Sequence, residues 1–152
     1  MIKKELIEID AEFSDRDSCL RYMIEKADEC GLLNDKEIYR EAVEAREKQF
    51  STALGFSVAI PHGKSEGVKD AFVSVLRTKE EFIWDQTNNN EVRLVFLIGM
   101  PMDKVGNLHL QCLAEISKNI INDDFRNGLL TAATKDEVYE LLNEINEKVR
   151  ES

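Results

Sequence analysis

Apolar residues along the chain follow two alternating patterns, one with helical spacing and one typical of buried strands. Helical spacing predicts five helices, at about 14–31, 34–48, 108–121, 125–133 and from 134 onwards. Capping pairs mark three of the helix starts: Ser14 with Asp17, Asn34 with Glu37, and Thr134 with Glu137. Strand patterns lie at 5–9, 57–60, 71–76 and 92–98, and the last is the most apolar run of the chain.

The second helix is expected to pack through Ile38, Ala42 and Ala45, which recur on one face. A loop is expected over 99–107, after the most apolar strand. Because helices and strands interleave, we predict an α/β fold in which a mixed central β-sheet is flanked by helices. The 152 residues suit one such sandwich, so a single domain over residues 1–152 is expected.

The formal net charge of −10 bears on partners more than on fold. Nucleic-acid binding is not expected, because no basic patch or stripe is visible in the sequence. The acidity favours a partner with a basic face, or else only keeps the protein soluble; the sequence allows both interpretations.

Cysteine usage and hydropathy indicate a cytoplasmic protein. The three cysteines, Cys19, Cys30 and Cys112, are odd in number and have no C-x-x-C spacing, so neither a disulfide framework nor a zinc site is indicated. Cys19 and Cys112 lie in apolar helical stretches and are expected to be buried free thiols, as in a reducing compartment. No apolar run approaches the roughly 20 residues of a membrane span, and no signal-peptide core is present.

His62 is the first candidate for chemistry. It follows the 57–60 strand and Pro61, which fixes its own backbone angle, and it precedes Gly63, which permits a sharp turn and close approach of another backbone. An imidazole near pH 7 has a large neutral fraction, so one ring nitrogen can act as a nucleophile. On this reasoning alone, His62 is either a structural histidine at a strand end or a reactive one.

His109 and Arg46 are weaker candidates by themselves. His109 opens the 108–121 helix, where backbone amides and partial positive charge suit an anion, although many residues occupy such positions without a function. Arg46 lies near the end of the second helix, and its planar fork matches phosphate oxygens. Most helix arginines are simply solvated, so its position alone does not decide.

Common nucleotide, hydrolase and metal motifs are absent from the sequence. Gly63-Lys64-Ser65 resembles the end of a phosphate-binding P-loop, but the glycine required five positions earlier is Val58. There is no G-x-S-x-G, G-x-G-x-x-G or H-E-x-x-H pattern, and no ligand-spaced metal cluster.

The segment from Leu54 to Gly63, LGFSVAIPHG, closely resembles the signature of the fructose/mannitol-type enzyme IIA domains of the bacterial phosphoenolpyruvate-dependent sugar phosphotransferase system. Arg46, in EARE, matches an arginine on the preceding helix of that family, and His109, in LHLQCL, matches a second histidine that opens a helix. The similarity continues in order through 92–98, 124–126 and 136–139, and so covers nearly the whole chain.

The resemblance implies that His62 is the residue that becomes phosphorylated. HPr, the small histidine-phosphorylated carrier, would be the donor, and a cysteine of an enzyme IIB domain, expected on a separate chain, would be the acceptor. Arg46, His109 and backbone amides near Gly63 would bind the phosphoryl oxygens. No cofactor and no metal is expected.

Two other functions remain open at this point. A regulatory, nitrogen-type enzyme IIA would share the ancestry, and its phosphorylation at His62 would control binding to other proteins. A plain binding domain without phosphoryl chemistry is the third interpretation, and the joint presence of Arg46, His62 and His109 argues against it.

Overall fold

The structure is a computed structural model that describes residues 1–102 and 108–151. Of residues 108, 109, 150 and 151 it describes the backbone only. Over these residues the elements follow in the order β1 (Ile2–Ala11), α1 (Arg16–Glu29), α2 (Lys36–Gln49), β2 (Ala53–Gly55), β3 (Val58–Ala59), β4 (His62–Ser65), β5 (Phe72–Asp85), β6 (Asn90–Pro101), α3 (Leu108–Ile120), α4 (Asp123–Thr131) and α5 (Lys135–Glu151).

All the described strands belong to one mixed sheet. Its order is β1-β5-β6-β3-β2, and β4 also pairs with β6. The β1–β5, β3–β6 and β4–β6 pairs are parallel, whereas β5–β6 and β2–β3 are antiparallel. The predicted mixed sheet is therefore confirmed.

Helices cover both faces of the sheet, because alternate residues of the central strands point to opposite sides. Phe72 and Leu76 of β5 join the core that α1 and α2 cover, together with Cys19, Tyr39 and Trp84. The intervening strand residues join the core beneath α3, α4 and α5, which contains Val73, Val75, Phe96, Ile116 and Leu142. The strand pattern at 71–76 is thus buried on both faces, as predicted.

Strands β3 and β4 lie one after the other along the same edge of β6. Val58 and Ala59 pair with Leu94 and Val95, and β4 then pairs His62 with Ile98 in the same parallel direction. The chain leaves the ladder between them at Ile60-Pro61, where proline has no amide hydrogen to donate. The Ile98 amide still donates to the Pro61 carbonyl at 3.0 Å, so the break is short.

Several element boundaries differ from the sequence predictions. The loop expected from residue 99 is wrong at its start, since β6 continues to Pro101; residues 103–107 lie outside the described residues. The caps of the first two helices are Asp15 and Asp35, one residue beyond Ser14 and Asn34, because those carboxylates accept the exposed amides. The Thr134 cap is confirmed by the bond from the Glu137 amide at 3.2 Å.

The predicted packing face of α2 is wrong. Tyr39, Val43 and Glu47 are buried, whereas Ala45 is exposed and Ile38 is 45% exposed. The buried face of α2 is offset by one position from the predicted face. The small alanines fit the apolar period, but they do not face the core. The alanine face of α2 instead borders the candidate site described below.

Gly99 allows one close contact that holds the two central strands and α2 together. The Phe72 ring lies directly over Gly99, its partner across the β5–β6 ladder, and Tyr39 packs edge-on against Phe72 at 5.7 Å between ring centroids. A Cβ at residue 99 would overlap the Phe72 ring. A glycine under a cross-strand aromatic ring is a known stabilising arrangement in sheets.

We expect Gly99→Ala to lower the free energy of unfolding by about 1–3 kcal/mol, as overpacking a buried site does. Denaturant unfolding measures this directly. Gly128→Ala is the matched control: its Cβ would meet only the flexible end of Leu141, at 3.1 Å, and alanine favours the helix. An equal loss in both variants would contradict the role given to the Gly99–Phe72 contact.

Candidate functional site

His62 stands at the first residue of β4, directly after the break in the ladder. Its side chain is half-buried, so the ring is held by the protein and still reaches the surface. The sequence predicted a strand end followed by a tight turn at Gly63. The turn is wrong, because Gly63 lies inside the paired strand β4.

Gly63 nevertheless has the second property expected of it, close approach of another backbone. A Cβ at residue 63 would lie 3.3 Å from the Val43 amide nitrogen and 3.3 Å from the Ala42 Cβ. Helix α2 therefore packs directly against β4 and brings its alanine face beside His62.

A backbone carbonyl orients the His62 ring. Nδ1 lies 2.8 Å from the Ile60 carbonyl oxygen. A carbonyl oxygen can only accept a hydrogen bond, so Nδ1 carries the hydrogen in this contact, and the neutral ring then has its lone pair on Nε2. The bond is available because the carbonyls of Ser57 and Pro61 accept from β6, which leaves the Ile60 carbonyl on the opposite edge, beside the ring.

Arg46 borders the same cleft as His62. The cleft has a volume of about 350 Å³, and His62 and Lys64 of β4 face Arg46 and Gln49 of α2 across it. Apolar side chains complete its wall: Ala42, Ala45, Ile98, Met100, Leu110 and Leu113. Helix α2 supplies the arginine where sequence reasoning placed it, on the helix before the signature segment.

The Arg46 guanidinium is anchored rather than loose. Its Nη1 donates to the Phe50 carbonyl at 2.8 Å, at the residue that caps α2. A guanidinium has five N–H donors, so this bond uses one of them and the fork can still bind oxygens.

The charged side chains among the described residues that line this cleft are cationic. Arg46 and Lys64 contribute positive charge, and none of the described residues that line it is Asp or Glu. This is notable for a chain with a net charge of −10. Such a cleft favours an anion.

His109 is the second residue of α3, but its side chain lies outside the described residues, so its predicted contact with the site stays a prediction. Lys64 was missed by sequence reasoning, which weighed Gly63-Lys64-Ser65 only as a P-loop. Its position two residues after His62 becomes informative only once β4 is known to be a strand, since alternate residues of a strand share a face.

No cysteine is among the described residues that line this cleft. Cys19 and Cys112 are buried, as predicted, and burial raises the pKa of each thiol to about 12. Cys30 is exposed at the end of α1. Among the described residues, no three His, Cys, Asp or Glu side chains gather as metal ligands, and no helix is long and apolar enough to cross a membrane.

Comparison with known proteins finds a matching family and similar sequences. A family model described as "Phosphoenolpyruvate-dependent sugar phosphotransferase system, EIIA 2" matches residues 1–145. The fructose-specific EIIABC component of Bacillus subtilis is 28% identical over 95% of the chain, which spans only 22% of that relative's length. The fructose-specific EIIA component of Haloferax volcanii is 29% identical over 94% of the chain and 92% of the relative.

The fold is also shared with a solved structure. The nitrogen regulatory protein IIA-Ntr from Neisseria meningitidis is 27% identical and superposes with a TM-score of 0.79, over 93% of this chain and 95% of that one. The α/β architecture therefore matches that of a protein named as a nitrogen regulatory protein. The two sequence relatives are instead named as fructose-specific components.

We expect a thiol reagent at pH 8 to label one cysteine of the native protein and three of the unfolded protein. The raised pKa keeps Cys19 and Cys112 protonated, and burial blocks access, while Cys30 is exposed. Intact-mass measurement counts the adducts. Cys30→Ser should remove native labelling; native labelling of that variant would contradict the burial of the other two thiols.

Proposed function

The chain belongs to the EIIA 2 family of the phosphoenolpyruvate-dependent sugar phosphotransferase system, and we propose that it carries a phosphoryl group on His62. The donor is phosphorylated HPr, and the acceptor is a cysteine of an enzyme IIB domain. The observation that carries the proposal is the hydrogen bond from His62 Nδ1 to the Ile60 carbonyl, at the edge of a cationic cleft.

In the proposed step, the Nε2 lone pair of His62 attacks phosphorus. A new N–P bond forms, the bond from phosphorus to the donor's histidine nitrogen breaks, and that nitrogen leaves with the electron pair. The hydrogen on Nδ1 stays in place, and the Ile60 carbonyl stabilises the positive charge that the ring acquires. Passing the group on to a thiolate reverses these changes at His62.

Positioning and charge account for most of the catalysis of such a transfer. Arg46 and Lys64 flank the cleft, so their N–H groups bind the phosphoryl oxygens as negative charge develops there. By the family resemblance, His109 takes the same role. Backbone amides near Gly63 are weaker candidates for binding the phosphoryl oxygens, because Gly63 lies in a paired strand.

The surface near the cleft suits docking of a protein carrier. Leu110 lines the cleft and is 52% exposed, and Phe50, beside Arg46, is 78% exposed. Exposed apolar side chains of this kind are typical of the core of a protein interface, with polar groups at its rim. The overall negative charge would attract a partner with a basic face.

We expect the wild-type protein to gain one acid-labile phosphate in the presence of phosphoenolpyruvate, enzyme I and HPr, and His62→Gln to gain none. Intact-mass measurement detects the added group. Glutamine cannot form the N–P bond, but its size preserves the fold, which circular dichroism checks. A phosphate on the His62→Gln variant would contradict the proposal.

A regulatory role is the second candidate, and the likeness to the nitrogen regulatory IIA-Ntr favours it. The same His62 chemistry would then switch the binding of other proteins. The names of the two fructose relatives favour transport, and one of them is an EIIABC component.

We expect the phosphorylated protein to transfer its phosphate to the cysteine of a fructose- or mannitol-type enzyme IIB, because transport requires that second step. Gel or mass detection of phospho-IIB measures it, and IIB with its cysteine changed to serine is the control. If phosphate enters His62 but reaches none of several IIB proteins, the regulatory role is favoured.

A further inference from the structure

Glu47 is a buried carboxylate next to the candidate site. It lies on the core side of α2, one residue after Arg46, and is 7% exposed. A charged group of this kind is costly to bury unless several hydrogen bonds satisfy it. The residues that donate these hydrogen bonds to Glu47 are in turn held in place by it.

Thr52 supplies two of the donors to Glu47. Its backbone amide donates to Oε2 at 3.1 Å, and its hydroxyl donates to Oε1. The indole N–H of Trp84, on β5, adds a third, at 3.3 Å from Oε1. Thr52 is 3% exposed, so the carboxylate fixes a buried residue of the segment that joins α2 to the signature strand.

The Thr52 backbone leads from Glu47 to the His62 ring. The Thr52 carbonyl accepts from the Ile60 amide at 3.0 Å. The Ile60 carbonyl in turn accepts from His62 Nδ1 at 2.8 Å. Thr52 thus holds the Ile60 amide in place. This fixes the position of the Ile60 carbonyl, which accepts from the His62 ring.

The same segment leads to Arg46. Its guanidinium donates to the Phe50 carbonyl, two residues before Thr52. Since Thr52 is tied to Glu47, and Glu47 is itself on α2, the turn from Phe50 to Thr52 is closed against the end of that helix. This closure fixes the position of the Phe50 carbonyl. It therefore also fixes the Nη1 of Arg46, which donates to that carbonyl.

We propose that Glu47, acting through Thr52, is a positioning residue for both His62 and Arg46. Through Thr52, its buried carboxylate sets both the Nδ1–H tautomer of His62 and the position of the Arg46 guanidinium. The proposal rests on the proposed function, since it deepens the account of that site, but its effect on the His62 ring is measurable without any phosphoryl transfer.

Thr52→Val tests the proposal with a small change. Valine keeps the volume, the amide and the carbonyl of residue 52 and removes only the hydroxyl donor to Glu47. We expect the rate constant kcat for uptake from phospho-HPr to fall about tenfold with KM little changed, because positioning acts in the transition state. We also expect the Nδ1–H tautomer of His62 to lose population, as read from imidazole ¹⁵N shifts.

Thr52→Ser and Thr78→Val are the matched comparisons. Serine restores the hydroxyl, so it should recover both the tautomer and the rate. Thr78 is also a buried threonine, 1% exposed, and its hydroxyl donates to the Glu80 carbonyl at 2.7 Å, with no link to Glu47. Thr78→Val should alter stability alone.

The proposal is overturned if Thr52→Val keeps the wild-type tautomer and rate at a temperature well below unfolding, as Thr78→Val is expected to do. Should Thr52→Val not fold, Glu47→Gln gives the same reading, since its amide nitrogen cannot accept from the Thr52 amide. If the wild-type protein takes up no phosphate, the proposed function fails, and the His62 tautomer alone then decides the role of Glu47.

Discussion

The placing of β3 and β4 along one edge of β6 is the constraint on which the site depends. Alternate carbonyls of this segment, those of Ser57 and Pro61, accept from β6, so the Ile60 carbonyl lies on the opposite edge. There it accepts from His62 Nδ1, while the segment keeps one register against β6, from Val58 opposite Leu94 to His62 opposite Ile98. This carbonyl gives the ring a fixed acceptor, and the pairing of His62 with Ile98 holds the backbone of His62 beneath it.

Much of the fold was predictable because apolar periodicity is strong where elements are long. The strands at 71–76 and 92–98 and all five helices were located, and their interleaving gave the mixed sheet. The short strand β4 was not predicted, since its four residues, His62–Ser65, alternate between buried and exposed too briefly to form a pattern. The face of α2 was misassigned because Ala42 and Ala45 match the apolar period as well as Tyr39 and Val43 do.

The site was predictable in part. His62 and Arg46 were found by resemblance, and the structure brings them to one cleft. Sequence reasoning missed Lys64, because charge on a strand has meaning only once its neighbours in space are known. It also could not find the Glu47–Thr52 link, since a helical glutamate looks solvated until the fold buries it. The chain's net charge likewise gave no hint of a cleft lined by cations.

Trp84 is the single tryptophan of the chain, and its indole donates to the same carboxylate that holds Thr52. It is 2% exposed and packs against Phe82 at 6.1 Å between ring centroids. The protein thus contains one indole fluorophore, shielded from water, whose N–H lies within hydrogen-bond distance of both Glu47 carboxylate oxygens, behind the His62 ring. Its emission reports on that interior junction without any introduced label, and no second indole overlaps the signal.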